Sequence, residues 1–194
     1  SLGNGKTVEE FEEDVVLRQQ EGAANVAKNW AAVVEVFRSR GIPLATHDDT
    51  TIEHVEAGIA SGAVISEFPT TVEAAAAAKR AGLATVAGAP NVVRGGSHSG
   101  GVSVSELAEK GLLDGLSSDY VPVSLLEAAF ALSEGGYMSL PAAVGLVTAN
   151  PAEAVGLADR GSLEVGRRAD LVRVSMVEGQ PVVRNVWREG AEVF

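Results

Sequence analysis

The chain contains no cysteine, which removes disulfides, thiolate nucleophiles and cysteine-bound zinc together. Positive charge is scarce: 15 basic residues stand against 26 acidic ones, for a net charge of −11. Nonspecific binding to nucleic acid or to an anionic membrane needs a basic surface, so neither partner is expected. Arg167, Arg168, Arg173, Arg184 and Arg188 cluster toward the tail, but too thinly to reverse that balance. No run approaches the roughly 18 apolar residues of a membrane span. The opening Ser-Leu-Gly-Asn-Gly-Lys has neither the charged nor the apolar region of a signal peptide, so the expected location is the cytoplasm. What remains is a chain of 194 residues, 46% hydrophobic and 21% charged, able to bury one sizeable core with a small appendage.

Element order comes next. Thr7-Val-Glu-Glu reads as a capping-box start, and helical spacing runs to about Arg40 with a possible break at Glu21-Gly22. Short apolar runs at 44–46, 63–66, 83–87 and 113–117 read as buried strands. Helices are predicted between and after them over 51–60, 70–81, 104–110, 124–132, 139–148 and 151–155. Such alternation marks a parallel sheet wrapped by helices, either an open sheet or half of an eight-stranded barrel. His47, Glu67, Asn91 and Asp119 fall at or just past the C-terminal ends of the strands, where parallel α/β folds gather ligands and catalytic groups.

The densest chemistry lies in 88–120. Gly88-Ala-Pro-Asn-Val-Val-Arg-Gly-Gly-Ser-His-Ser-Gly joins glycines that let the backbone approach an anion to the bidentate charge of Arg94. His98 adds a titratable base or metal ligand. Each residue also has a plainer reading. Asp48 and Asp49 could cap a helix, Glu67 could simply end a strand, and the glycines could be a loop without a ligand. His54, inside a helix beside acids, reads as a surface histidine.

The tail changes character. Gly161-Ser-Leu-Glu-Val-Gly-Arg-Arg-Ala-Asp is turn-rich, and the runs 171–174 and 181–187 alternate as half-buried strands around a turn at Glu178-Gly179. Two strands alone are marginal, so pairing with strands outside this chain is expected. Gly161-x-Leu-x-x-Gly-x-x-Ala-Asp-Leu followed by a hairpin and Trp187-Arg-Glu-Gly resembles the C-terminal end of metal-dependent amidohydrolases. Within that superfamily, four segments are similar to the diphosphatases of phosphonate catabolism. They are Thr46-His-Asp-Asp-Thr-Thr, Ser66-Glu-Phe-Pro-Thr-Thr, the 88–100 stretch, and Ser117-Ser-Asp-Tyr-Val-Pro-x-Ser-Leu-Leu.

The resemblance implies an α/β fold: the C-terminal half of a TIM-like (β/α)₈ barrel over 1–158, and β-sandwich strands over 159–194. It implies hydrolysis of a phosphoric anhydride in a small phosphorylated substrate, aided by a divalent metal, zinc, as one or two ions. His47, Glu67 and Asp119 match metal-ligand positions, Glu67 standing where many relatives place a histidine. Asp119 and His98 are the expected catalytic pair, as proton acceptor and general acid. Asn91, Arg94, Gly95, Gly96, Ser97 and Ser99 are expected around phosphate oxygens. Cleavage of a C–N bond on the same scaffold, or a catalytically incomplete associating module, are the alternatives. One departure is large: the histidines are His47, His54 and His98, and no His-x-His pair exists. The superfamily takes that pair, and a fourth-strand lysine or acid, from positions that would precede Ser1. Association is therefore expected, either as a homo-oligomer or with a missing N-terminal half. Two open sheet edges point the same way.

Overall fold

The computed structural model describes residues 7–97 and 100–194. It divides into two compact units, Ser1–Pro43 and Leu44–Phe194. The first is built on α1 (Val8–Ser39). The Thr7 hydroxyl accepts from the Glu10 amide at 3.2 Å, and Glu10 Oε2 accepts from the Thr7 amide at 2.8 Å, a complete capping box. The helix runs without the expected break at Glu21-Gly22. One interior glycine costs about 1 kcal/mol, and cooperative propagation through the long runs on either side offsets it. Phe11, Val15, Val26, Trp30 and Val33 recur along it at helical spacing and are exposed. Gly41, at φ 64°, ends the unit's helical path.

The second unit alternates β1 (Leu44–His47), α2 (Ile52–Ser61), β2 (Ala63–Glu67), α3 (Val72–Arg80) and β3 (Ala84–Gly88), then α4 (Ala89–Arg94), α5 (Val104–Glu109) and β4 (Gly115–Ser117). The four strands form one parallel sheet in the order β1-β2-β3-β4. Hydroxyls start three of the helices: Thr51, Thr71 and Ser103 each accept from the amide three residues on. Asp48 and Asp49 therefore do not cap α2. Helix α4 was not expected. Pro90 sits in its first turn, where a missing N–H does no harm, and Gly95 closes it at φ 81°. β4 is shorter than its apolar run, because Leu113 turns into the core ahead of the strand.

Two clusters hold the layers together. Val55, Ala74, Ala77, Ala78 and Leu83 pack under α2 and α3, and the small side chains of α3 let that helix lie close to the sheet. Leu107, Leu113, Leu116, Leu132 and Leu146 anchor the larger one. Gly58 of α2 faces Thr46: a Cβ there would lie 2.4 Å from the Thr46 Cγ2 methyl. Only glycine permits that approach.

Helices α6 (Ser124–Glu134), α7 (Leu140–Gly145) and α8 (Ala149–Ala154) follow, and α6 packs against α4, α7 and the tail strand β6. The tail is an antiparallel sheet of β5 (Leu171–Val177), β6 (Gln180–Arg188) and β7 (Ala191–Glu192). The expected turn at Glu178-Gly179 is present, both residues at positive φ (51° and 79°), the twist that suits a two-residue hairpin. The third strand comes from this chain itself. Asp170 fastens the tail's base: it accepts from the Glu189 amide at 2.9 Å and faces Arg168 at 2.9 Å. The Glu189 N–H, aided by Arg168, holds the Asp170 carboxyl below the ordinary aspartate range, against desolvation. Among the described residues no helix is long and apolar enough to cross a membrane.

Candidate active site

The C-terminal ends of the strands form one polar rim. His47 and Glu67 close β1 and β2 and stand opposite each other in register. His47 Nε2 lies 3.9 Å from Glu67 Oε2, and Nδ1 lies 3.1 Å from Asp48 Oδ2. A carboxylate at Nδ1 favours the tautomer protonated there, which leaves the Nε2 lone pair free on the Glu67 side. The backbone is strained at the same place. Asp48, Phe68 and Asp119 take φ of 59°, 53° and 49°, left-handed values that cost non-glycine residues energy and gather at functional sites. Hydrogen bonds past the strand ends enforce the conformation: the Asp48 amide donates to Glu67 O, Phe68 to Val86 O, Thr70 to Asp49 O, and Val102 to Thr70 O.

Beside this rim is a cavity of about 140 Å³ whose wall includes Asp48, Phe68, Asn91, Arg94, Asp119 and Tyr120. Arg94, in the last turn of α4, donates from Nη1 to the Tyr120 hydroxyl at 2.7 Å. Asp119 lies two residues past β4, its amide donating to the Ser117 hydroxyl at 3.2 Å. The Phe68 ring meets His47 edge-on, centroids 5.2 Å apart. Phe68 also lies beside Gly88, where a Cβ would sit 3.7 Å from the ring and 3.8 Å from Asp119 Oδ2. The aromatic ring thus adjoins the histidine and flanks Gly88 together with the aspartate.

The structure brings His47 and Glu67 together, and it gathers Asp119, Arg94 and Asn91 on the cavity wall. Asn91 sits within α4 rather than in a loop, and its Oδ1 accepts from the Val104 amide at 3.1 Å. The Gly95 and Gly96 amides donate to Val92 O and Asn91 O at 3.0 and 2.9 Å, so helix termination takes up both of these expected anion donors. The Ser97 hydroxyl accepts from the Gly101 amide at 3.2 Å. His98 and Ser99 lie outside the described residues. His54 is exposed on α2, as read from sequence, and its Nδ1 accepts from the Thr50 amide.

His47 and Glu67 offer one nitrogen and one oxygen, a donor pair that suits zinc or a harder divalent ion. Among the described residues no group of three histidine, aspartate or glutamate side chains gathers to hold a metal. Among the described residues the rim offers a two-donor corner. Asp49, Phe68 and Tyr120 were missed from sequence. The available signal was a hydroxyl directly before each candidate ligand, Thr46 before His47 and Ser66 before Glu67.

A parallel sheet wrapped by helices, with polar residues at its C-terminal rim, is the frame of many hydrolases. The chain belongs to the amidohydrolase family, whose model matches residues 18–194. It is 51% identical over 168 residues to the alpha-D-ribose 1-methylphosphonate 5-triphosphate diphosphatase of Escherichia coli K12. That match covers 86% of this chain and 44% of the relative, so the chain spans less than half of the relative's length. Among solved structures, Aspergillus niger ochratoxinase superposes with a TM-score of 0.62 at 20% identity, over 84% of this chain and 44% of that one. The N-acetylglucosamine-6-phosphate deacetylase of Pasteurella multocida gives 0.60 at 14% identity, over 82% and 52%. An amidohydrolase of Thermotoga maritima gives 0.55 at 18% identity, over 90% and 56%. These likenesses establish the shared fold.

Proposed function

We propose that this chain carries part of the active site of a phosphonate-catabolism diphosphatase. The reaction is hydrolysis of α-D-ribose 1-methylphosphonate 5-triphosphate to the 5-phosphate and pyrophosphate. Water adds to phosphorus, the α–β phosphoanhydride P–O bond breaks, and pyrophosphate leaves. The observation that carries the reading is the 51% identity with the E. coli diphosphatase across 86% of this chain. In the same reading, residues 1–158 belong to a TIM-like barrel of which this sheet is one half, and residues 159–194 belong to a composite β-sandwich.

His47 and Glu67 would hold a divalent metal, taken to be zinc. Such an ion polarises a phosphoryl group when bound. Asp119 accepts the proton of the attacking water, the task of a positioned carboxylate. Arg94 holds phosphate oxygens from the cavity wall, oriented by Tyr120 and joined by Ser97 and Asn91. His98 is assigned as general acid for the leaving group and Ser99 as a further phosphate-binding residue. The arginine at the rim supports a phosphorylated substrate over a neutral cyclic amide, and the relative's named reaction supports the anhydride over a C–N bond.

The test uses a protein of the relatives' full length that carries this sequence. It is incubated with the ribose phosphonate triphosphate and followed by phosphorus NMR. Pyrophosphate and the 5-phosphate are expected in equal amounts, and their absence sinks the reading. Arg94→Ala should raise KM by about tenfold or more, the weight of one charge-assisted contact. Asp119→Asn should instead lower kcat by about a hundredfold or more, as loss of an acid–base group does.

A further inference from the structure

Behind the rim lies a buried carboxylate to which the proposed chemistry assigns no role. Asp49 is 4% exposed and is not among the residues that line the cavity. Its Oδ2 accepts from the Thr46 hydroxyl at 2.5 Å and from the Ser66 hydroxyl at 2.7 Å. Thr46 and Ser66 stand opposite each other on β1 and β2, and His47 and Glu67 are the next pair along the same register. The Asp49 carbonyl also accepts from the Thr70 amide at 2.9 Å, tying the loop after β2 to the loop after β1. One residue thus bridges two strand ends by side chain and two loops by main chain.

We propose that Asp49 is a positioning residue: it clamps the ends of β1 and β2 so that His47 and Glu67 meet at a set spacing. Hydrogen bonds to a buried carboxylate are stronger than neutral ones, and an ionised carboxylate accepts without donating. Two hydroxyls aimed at a single oxygen therefore fix both strands from one point. The row continues to Thr85 of β3, opposite Ser66. Thr85 Oγ1 is buried and finds no hydrogen-bond partner among the described residues, so the clamp ends at Ser66. Thr85 serves as the internal control. The functional consequence rests on reading His47 and Glu67 as the metal corner, whereas the clamp itself does not.

The experiment is amide hydrogen exchange and ring-to-ring NOE measurement on the 194-residue chain and its variants. In Asp49→Ala the Asp48 and Phe68 amides, which bond to Glu67 O and Val86 O, should exchange about tenfold faster or more. The Leu116 amide of β4, bonded to Leu146 O after α7, should change far less. The His47–Phe68 NOE should weaken. Ser66→Ala should reproduce part of the effect, Asp49→Asn should restore part of it, and Thr85→Val should leave the rim amides unchanged. Uniform acceleration that includes Leu116 would make Asp49 a general stabiliser and overturn the proposal, as would unchanged Asp48 and Phe68 amides. Where Asp49→Ala does not fold, Asp49→Asn and Ser66→Ala decide by the same criteria. Zinc binding by the full-length protein that carries this sequence is measured alongside. Its absence counts against the metal reading alone, because the exchange data judge the clamp without metal.

Discussion

The two ends of the parallel sheet are built on opposite terms. At the N-terminal end, Asp114 pairs with Lys79, accepts from the Thr85 amide at 3.0 Å, and offers its carbonyl to Asn150 Nδ2 at 2.9 Å. Strand and preceding helix are joined by its carboxylate and the following helix by its main-chain carbonyl, with every bond complementary. At the C-terminal end, carboxylates crowd a histidine, three non-glycine residues are held left-handed, and an arginine reaches a tyrosine across a cavity. A site needs polar atoms with capacity to spare, whereas the Asp114 carboxylate is engaged by the sheet's own neighbours. On the proposed function, the difference separates stability from activity along the same four strands.

Four changes break or sharpen that contrast. Asp114→Ala should have the largest effect, about 2–3 kcal/mol by urea unfolding. It orphans a strand amide and loses a partly exposed ion pair worth at most about 1 kcal/mol. The His47–Phe68 NOE should survive it, and a loss below about 0.5 kcal/mol would erase the distinction between the ends. Gly58→Ala should cost about 1–2 kcal/mol, overpacking against Thr46 being partly offset by helix propensity. Unlike the first change, it should shift rim resonances. Glu67→Gln should leave stability within about 0.5 kcal/mol, yet in a full-length protein that carries this sequence weaken zinc retention more than about tenfold. Equal retention would remove Glu67 from the metal corner. The smallest effect comes from acid. The Asp170 carboxyl is held low by the Glu189 amide, so its contribution is present above the unfolded value and lost as pH falls through the lowered folded one. As pH falls below about 4, the ordinary aspartate value, faster exchange should begin at the Glu189 amide in the tail, and a first loss elsewhere would contradict the assignment.

The strand–helix alternation was legible because its signals are local. Threonine or serine caps precede α2, α3 and α5, and short apolar runs mark each strand. What escaped depends on context. Gly88-Ala-Pro read as loop punctuation, whereas proline in a first turn also starts helices, and α4 uses it so. β7 is two residues long, below any periodicity, and exists because β6 offers it an edge. For the site, the residue types were readable and their convergence was not. The His47–Glu67 approach follows from strand register, and the Phe68 ring reaches Gly88 and His47 through a backbone turn that its sequence does not announce. Asp49 looked like a capping residue because aspartates before helices usually are. Thr51 took that role two residues later.

The fit of Gly58 against Thr46 binds two positions into one inheritable choice. The volume that a methyl at 58 would fill is already held by the Thr46 methyl, so a lineage can carry that carbon on either residue but not on both. Exchanging it, with alanine at 58 and serine at 46, conserves total volume and keeps the hydroxyl that Asp49 receives. Gly58→Ala alone should be harmful, and Thr46→Ser should act as its suppressor.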